Sequence, residues 1–461
     1  MLSLPNPLWG AAMARPEANA LVTSEVTLTW AEVRAGAAAL AARAPFASVS
    51  PGARVALVGP ADARWVLAFH ALLWRGAVVV PLAARATADE RAQALDVAAP
   101  ASVIESETAC PADLAPLIRV HAHVNTGEPP DWPLEDPRLV ICTSGTTAEP
   151  RALELTAAQL AFAAFGSTLR LGHALDDRWL ACLPLHAVGG LSILLRAAFA
   201  ATAVELAPGF DAAFVATALV EGRCTLVSLL PAMLAEICST LEASGGRVSA
   251  RVRAVLVGGA PTPPAVVARA RALGLPLSLT WGMTETAAQV ATWFPGAFET
   301  DGVGPPLAFA RVETEADGRL VVRGPVAPGG RLRTADAGEV SQTGAVRVTG
   351  RMDDVVNSGG AKIAPAEVEA VLARHPAVLE AAVVAAPDQR FGARPVAFVR
   401  ARGALDAEDL RMHCHAHLAR HKCPDRFIFL NELPRVATGK VDRRALLSRA
   451  ALSAARPPES T

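Results

Sequence analysis

Short apolar runs recur along the first 260 residues, and segments with helical periodicity separate them. Apolar runs of four to eight residues that alternate with helices are typical of parallel strands buried on both faces. The runs lie at 54–59, 76–81, 102–104, 139–142, 179–183, 225–230 and 254–257. The sequence therefore predicts an α/β fold: a large N-terminal domain built from βαβ-type sheets covered by helices on both faces.

The pattern of predicted secondary structure changes after about residue 300. Short, glycine-punctuated strands at 312–326 and 344–349 indicate hairpins or a small β-barrel-like subdomain. Beyond a boundary near 350–354, helices at 365–373 and 407–420 flank strands at 379–385 and 394–399. A chain of 461 residues is longer than a single hydrophobic core usually accommodates. We therefore expect an N-terminal domain (1–350), a hinge (351–353) and a small, mobile α+β C-terminal domain (354–461). The segment 111–137 is predicted to be a loop.

Composition narrows the class of protein. Hydrophobic residues make up 52% and charged residues 19%, which indicates a soluble globular protein. A net charge of −1 gives no electrostatic footprint for nucleic acid or an anionic membrane. The seven cysteines form no paired framework, so a reducing cytoplasm is expected. We expect no signal peptide, because the N-terminal residues show neither a basic region nor an apolar region of that kind. We also expect no membrane span, because the most apolar window, 187–206, contains Arg196.

The run at 139–142 ends in a turn that is rich in hydroxyl groups. Its residues are Thr143, Ser144, Gly145, Thr146 and Thr147, followed by Pro150 and Arg151. Backbone N–H groups and hydroxyls at a strand end suit a phosphate, and Arg151 adds a planar cation. A polar surface turn is the alternative. The stretch lacks the Gly-Lys-Ser/Thr ending of a Walker loop, and Pro150 is expected to interrupt regular structure.

Three further stretches combine unusual residue types. The first is 256–261, where Gly258 and Gly259 follow a predicted strand and let the backbone lie against a planar ring. The second, 280–286, brings an indole, hydroxyls and a carboxylate together. The third, 438–442, carries Lys440 on a glycine turn. Taken singly, each has an ordinary interpretation: a strand-to-helix turn, a helix N-cap and a solvated lysine.

Together these motifs resemble the ordered core motifs of the acyl-adenylate-forming superfamily, which includes acyl-CoA synthetases, adenylation domains of peptide synthetases and luciferases. The matching segments are 143–151, 281–286, 334–336, 350–367 and 434–440. The resemblance extends from about residue 21 to 444. Within the superfamily, 183–192 and 257–261 look most like the o-succinylbenzoate–CoA ligases of menaquinone biosynthesis.

The resemblance implies a two-step acid–CoA ligase: ATP and Mg²⁺ give an acyl-AMP, and CoA then gives the thioester. For the nucleotide it implies a phosphate cradle (Thr143, Ser144, Gly145, Thr146, Thr147, Arg151), an adenine site (Gly259, Ala260, Pro261, Trp281) and a ribose site (Asp336 beside Arg351). It also implies that Thr284 contacts the α-phosphate, Glu285 carries Mg²⁺, Lys440 is catalytic and Asp353 is the hinge. The implied acyl pocket contains His186, Gly189, Gly190, Leu191, Ser228, Ala287 and Ala288.

Three departures from the family pattern keep alternatives open. Ala148 and Glu149 replace a glycine and a lysine, Ala187 stands where many relatives have histidine, and Ala335 replaces a glycine. The expected partners are a small carboxylic acid, most specifically 2-succinylbenzoate, with ATP and CoA; a homo-oligomer is an option. The alternatives are a ligase for another aryl or fatty acid, an adenylation domain that serves a carrier protein, and a catalytically impaired homologue. The histidines and cysteines at 413–423 match no standard zinc spacing.

Overall fold

A computed structural model describes residues 2–121, 127–144, 150–296, 302–358, 361–388, 390–436 and 439–454. The chain forms two compact units. The first unit contains Met1–Gly259, Ala270–Arg311 and Val322–Leu332, and the second contains Ala260–Arg269, Val312–Val321 and Arg333–Thr461. The proposed boundary at 351–353 stays a prediction.

The helices in the described part of the chain are α1 (Pro7–Ala14), α2 (Trp30–Ala41), α3 (Ala63–Trp74), α4 (Ala88–Ala98), α5 (Ser106–Ala109), α6 (Ala115–His121), α7 (Ala157–Leu171), α8 (Val188–Ala200), α9 (Ala212–Glu221), α10 (Pro231–Ser244), α11 (Pro264–Ala272), α12 (Pro365–Leu372), α13 (Ala407–His417) and α14 (Arg443–Ala454).

The strands are β1 (Ser3–Leu4), β2 (Asn19–Val22), β3 (Thr27–Thr29), β4 (Arg54–Val58), β5 (Val78–Leu82), β6 (Ser102–Glu105), β7 (Trp132–Pro133), β8 (Pro137–Ser144), β9 (Pro150–Thr156), β10 (Arg178–Ala181), β11 (Ala203–Leu206), β12 (Leu226–Leu229), β13 (Ala254–Val257), β14 (Leu277–Met283), β15 (Ala288–Thr292), β16 (Arg311–Thr314), β17 (Arg319–Arg323), β18 (Arg331–Val340), β19 (Val346–Arg351), β20 (Val356–Ser358), β21 (Ala361–Ile363), β22 (Val378–Asp388), β23 (Gly392–Ala401) and β24 (Arg426–Phe429).

Two large sheets make up most of the strands of the first unit, which also contains the two-stranded sheet β1-β7. One has the strand order β6-β4-β5-β8-β9, and the other has the order β15-β14-β13-β12-β10-β11-β2-β3. Most neighbouring strands are parallel, whereas β9, β15 and β3 pair antiparallel with their neighbours. The apolar runs of the sequence become these strands because a parallel strand covered on both faces needs apolar side chains on both.

Two helix pairs connect the sheets of the first unit. Helix α3 packs on β4, β5 and α2, and α2 in turn contacts β2 and β3. Helix α7 likewise contacts β9, and its neighbour α8 contacts β10 and β11. Nearly every residue of α3 is buried, which explains why this helix is apolar on all faces rather than along one stripe. Through these helix contacts, the two large sheets pack together within the first unit.

The second unit contains the mixed sheet β21-β20-β23-β22, with β24 added parallel to β23. Successive residues of β22 point to opposite faces of this sheet. Val383 joins a core with α12 and α13, whereas Val384 joins a core with α14. The short strands predicted after residue 300 form a four-stranded sheet, β16-β17-β18-β19, whose residues lie largely in this unit. β18 and β19 pair antiparallel.

Three local predictions were wrong. Segment 111–137 is not simply a loop, because Leu117 and Ile118 are buried in α6, which packs on α2. Helix α13 ends at His417, earlier than predicted, because Leu418 has an extended backbone. Pro150 does not interrupt regular structure, since β9 begins at this residue. The predicted fold class is confirmed. No helix of the described residues has the length and apolar character needed to cross a membrane.

Candidate functional site

The hydroxyl-rich turn joins two antiparallel strands. β8 and β9 pair so that Thr143 lies opposite Arg151 and Ser144 lies opposite Pro150. Proline fits this position because it begins the strand, where a missing N–H is tolerated. Thr143 is half-buried and Arg151 is exposed. The predicted cradle residues Gly145, Thr146 and Thr147 lie outside the described residues, so the structure gives the base of the turn.

The base of this hairpin lies against a second predicted motif. Strand β9 packs on the 3₁₀ turn Thr284–Thr286, although more than 120 residues of chain separate them. Gln159, on the first turn of α7, joins the two: its Nε2 donates to the carbonyl of Glu285 at 2.8 Å and to that of Val326 at 3.3 Å. Strand β9, at the base of the hairpin, and the Thr284–Thr286 turn are therefore neighbours within the first unit.

Sequence reasoning missed Gln159. The sequence does contain a signal for part of its role, because Thr156 and Gln159 form a capping box at the start of α7. The side-chain oxygen accepts a hydrogen bond from the Thr156 backbone at 3.1 Å, which leaves the amide group to donate elsewhere. Its two carbonyl acceptors come from distant segments, and only the tertiary structure identifies them.

The remaining predicted residues of the first unit gather at the carboxyl ends of adjacent strands. β12, β13 and β14 lie side by side in parallel, and the N–H of Gly258 donates to the carbonyl of Leu229 at 3.2 Å. Gly259 follows β13, and Trp281 lies near the end of β14 with 7% of its surface exposed. This edge of a parallel sheet is where ligands of α/β proteins bind. Ala260 and Pro261 belong to the second unit.

The predicted acyl-pocket residues also lie at this edge. His186 precedes α8 and Gly189, Gly190 and Leu191 form its first turns, while Ser228 lies near the end of β12. Burial lowers the pKa of His186, so its imidazole is neutral at neutral pH. Leu191 is 1% exposed and packs in the core.

Ser228 has an unusual environment. Its side chain is 5% exposed, and its Oγ has no hydrogen-bond partner in the structure. An unpaired buried hydroxyl costs free energy, which makes Ser228 a candidate to contact a ligand.

Backbone strain marks the segment after the carboxylate turn. Ala287 and Ala288 have φ angles of 54° and 101°, a region that side chains other than glycine rarely enter. Both residues lie where β14 turns back into β15, next to the Thr284–Thr286 turn. Such strain persists only when the surrounding packing fixes it, and it is concentrated at functional sites. The small methyl side chains leave room on this edge.

The second unit holds a cluster of two carboxylates and a guanidinium. Asp336 on β18 pairs directly with Arg351 on β19, and the Arg351 Nη1 lies 3.5 Å from Asp336 Oδ1. The other terminal nitrogen lies 3.3 Å from Asp353 Oδ2. Thr334 Oγ1 accepts a hydrogen bond from the backbone N–H of Asp336 at 3.1 Å. The structure thus places Arg351 beside Asp336, and Asp353 in the turn that follows β19.

Lys440 is exposed in the second unit, on the return arm of a turn that begins at Pro434. Among the described residues, no cluster of three histidine, cysteine, aspartate or glutamate side chains is arranged to hold a metal ion. Glu285 is a single half-buried carboxylate. That donor set fits Mg²⁺ delivered with a nucleotide, because Mg²⁺ binds through one or two carboxylates plus substrate phosphates and water.

Comparison with protein families matches both halves of the chain. Residues 8–338 match the model described as AMP-binding enzyme. This chain belongs to the AMP-binding enzyme family. Residues 367–440 match the model of the AMP-binding enzyme C-terminal domain, which agrees with the order of motifs in the sequence.

Relatives of this AMP-binding enzyme share its whole length. It is 32% identical to a 2-succinylbenzoate–CoA ligase of Bacillus cereus over 97% of this chain and 98% of that protein. The Bacillus subtilis o-succinylbenzoate CoA synthetase in complex with the intermediate OSB-AMP is 29% identical, with a TM-score of 0.85, over 97% and 98% of the two chains. The same enzyme with ATP and magnesium is 30% identical, with a TM-score of 0.85, over 97% and 100%.

Proposed function

We propose that this AMP-binding enzyme is an ATP-dependent acid–CoA ligase that converts 2-succinylbenzoate to 2-succinylbenzoyl-CoA through an acyl-AMP. One observation carries the proposal: strand β9, which follows the hydroxyl-rich turn, packs on the Thr284–Thr286 turn. Gln159, 126 residues before Glu285, donates to the carbonyl of Glu285 at the same place. The phosphate donors assigned to this turn would then approach Glu285, the carboxylate assigned to Mg²⁺. Full-length similarity to 2-succinylbenzoate–CoA ligases supports the choice of acid.

In the first step, a carboxylate oxygen of the acid attacks the α-phosphorus of ATP. The bond between this phosphorus and its bridging oxygen breaks, and pyrophosphate leaves. Negative charge develops around the phosphorus, so fixed cations and N–H donors lower the barrier. We assign the β- and γ-phosphates to the hydroxyl turn and Arg151, and the α-phosphate to Thr284. Glu285 would hold Mg²⁺, which neutralises phosphate charge.

The adenosine part of ATP would contact glycine, aromatic and carboxylate groups. We assign adenine to Gly259, Ala260, Pro261 and Trp281. The ribose hydroxyls would donate to Asp336. Arg351 lies within 3.5 Å of this carboxylate, and its charge favours the ionised, hydrogen-bond-accepting form.

Lys440 would bridge the acyl carboxylate and the α-phosphate as charge develops. Composition supports this assignment, because the chain has only three lysines, at 362, 422 and 440, among 43 basic residues. In a chain that uses arginine almost everywhere, a lysine on an exposed turn points to a need for a compact, flexible ammonium rather than a planar guanidinium.

The second step transfers the acyl group to CoA. The thiolate of CoA attacks the acyl carbonyl carbon, the bond from this carbon to the AMP oxygen breaks, and AMP leaves. We propose that rotation about Asp353 exchanges the C-terminal surfaces used in the two steps. Asp353 suits a hinge because it is exposed and lies in a turn between β19 and β20, where a large backbone change disturbs no core.

The acyl pocket would use the small residues of the strand ends. The small residues Gly189, Ala287 and Ala288 would leave space for an aromatic ring, whereas Gly190 lies close against the carbonyls of Leu183 and Pro184. Ser228 offers an unpaired hydroxyl. His186, neutral because of its lowered pKa, can donate or accept a hydrogen bond. We further propose that the enzyme is cytoplasmic. We also propose that it has no nucleic-acid partner, in line with its net charge of −1.

Two measurements test the proposal. The purified chain is incubated with ATP, Mg²⁺ and a panel of aryl and fatty acids, and pyrophosphate release and CoA thioesters are followed separately. We expect the highest kcat/KM with 2-succinylbenzoate. Adenylate without thioester would favour a carrier-dependent adenylation domain. Nucleotide binding without pyrophosphate release would identify a catalytically impaired homologue.

Lys440→Ala tests the catalytic assignment. We expect this variant to lose adenylation by at least about 100-fold, because a positioned charge is removed. It should retain thioester formation from supplied acyl-adenylate. Lys422→Ala, which removes an ion pair to Glu367 at 2.7 Å, is the matched control. Equal loss of both steps in Lys440→Ala would contradict the two-orientation mechanism.

A further inference from the structure

The segment that carries Lys440 folds back on itself. The N–H of Asp442 donates to the carbonyl of Pro434 at 2.7 Å, and the N–H of Val436 donates to the carbonyl of Lys440 at 2.9 Å. Arg435 and Val441 form an antiparallel bridge. Lys440 therefore lies on the return arm of a narrow turn, and the backbone of this arm determines where its side chain begins.

The side chain of Arg435, on the outgoing arm of this turn, contacts the return arm and the neighbouring sheet. The Arg435 Nη1 donates to the carbonyl of Gly439 at 3.0 Å, and that carbonyl belongs to the peptide bond that leads into Lys440. The Arg435 Nη2 donates to both carboxylate oxygens of Glu380, at 2.8 and 3.0 Å. Glu380 lies on β22, which pairs along its length with β23. The guanidinium thus connects the peptide before Lys440 to the central sheet of the second unit.

The ion pair between Arg435 and Glu380 is expected to contribute little to the stability of the fold. Arg435 and Glu380 are 32% and 22% exposed, and ion pairs near the surface contribute little to folding. A lysine side chain, however, has four flexible carbons, so the precision of its ammonium depends on a fixed backbone. A displacement of about 1 Å at a reacting group can lower a rate by about 100-fold.

We infer that Arg435 is a positioning residue for Lys440, with Glu380 as its anchor on the sheet. The inference rests on the proposed role of Lys440 in adenylation. The planar guanidinium is needed because it donates hydrogen bonds to a carbonyl and to a carboxylate at the same time, in fixed directions. An ammonium on a flexible chain does not reproduce this geometry.

The test compares the two half-reactions of Arg435→Met in the full chain. We expect kcat for adenylation to fall by about 10- to 100-fold. The KM values for ATP and acid, and thioester formation from supplied acyl-adenylate, should stay within about twofold, because neither depends on where the ammonium starts. Unchanged adenylation, or an equal decline in both half-reactions, would overturn the inference.

Three further variants sharpen the test. Arg435→Lys should recover part of the lost rate, because it keeps the charge pair with Glu380 but loses the fixed fork. Glu380→Gln should lose less than Arg435→Met, and the double variant should lose no more than Arg435→Met, since the residues act in sequence. Arg411→Met is the matched control, because Arg411 pairs with Glu408 on α13, away from the turn. A loss in Arg411→Met equal to that in Arg435→Met would refute a specific role.

Lys440→Ala separates this inference from the proposed function. If Lys440→Ala keeps adenylation, the assignment of Lys440 itself fails. If Lys440→Ala loses adenylation and Arg435→Met does not, the catalytic assignment stands and the positioning role alone is refuted.

Discussion

Gly189 and Gly190 are adjacent on the first turn of α8 and differ sharply in the space around them. A Cβ at position 190 would lie 2.3 Å from the carbonyl oxygen of Pro184 and 2.7 Å from that of Leu183. A Cβ at position 189 would meet only Leu183 Cδ1, at an ordinary 3.5 Å. Gly190→Ala and Gly189→Ala therefore form a matched pair with the same chemistry and different packing.

The expected magnitudes follow from two opposing effects. Replacing glycine by alanine in a helix stabilises it by up to about 1 kcal/mol at either position. At position 190 this gain is opposed by overpacking, which costs about 1–3 kcal/mol or more, since backbone carbonyls cannot rotate away as a side chain does. We expect Gly189→Ala to be neutral or slightly stabilising. Because the helix gain is common to both variants, Gly190→Ala should be less stable than Gly189→Ala by the overpacking cost, roughly 1–3 kcal/mol.

Thermal unfolding of both variants and the parent protein, at one concentration and without ligand, measures this difference. Gly190→Ala should unfold several degrees below Gly189→Ala, because 1 kcal/mol corresponds to about 2–4 °C in a domain of about 150–250 residues, and less in a larger one. A common midpoint for the two variants would show that the 183–190 segment relaxes freely, and it would refute the packing argument.

Two other predictions concern stability. Burial lowers the pKa of His70 from 6.5 to about 4, so the contribution of the neutral imidazole to the free energy of unfolding is complete above pH 6.5 and is lost as the pH falls toward 4, by about 3 kcal/mol. His70→Leu should therefore reduce the change in the free energy of urea unfolding with pH over this range, whereas substitution of the exposed His173 should not. An unchanged pH dependence in His70→Leu would contradict this assignment. Gln159→Glu keeps the capping oxygen but removes the amide group that donates to the carbonyls of Glu285 and Val326. We expect urea unfolding to show about 1–3 kcal/mol of destabilisation, and we expect slower adenylation. The same stability as the parent protein would show that these two hydrogen bonds contribute nothing.

The candidate site was predicted where its signal is local. Hydroxyls and a glycine after a strand, a carboxylate beside an indole and a lysine on a glycine turn are patterns of neighbouring residues, and the family match confirms the family that they indicated. The predicted roles of these residues remain proposals. Gln159 and Arg435 were missed, because their partners, Glu285 and Glu380, are 126 and 55 residues away.

The sequence by itself determined the class of fold, since alternating apolar runs and helical segments have few ways to bury both. It also determined the order of the motifs and the excess of arginine that makes Lys440 distinctive. Only the tertiary structure decided which strand ends are neighbours and that Pro150 begins a strand. It also decided which carbonyls accept hydrogen bonds from the Gln159 amide and the Arg435 guanidinium. The physical reason is that periodicity and turn chemistry act over a few residues, whereas hydrogen-bond partners across a sheet depend on strand order, which the local sequence does not encode.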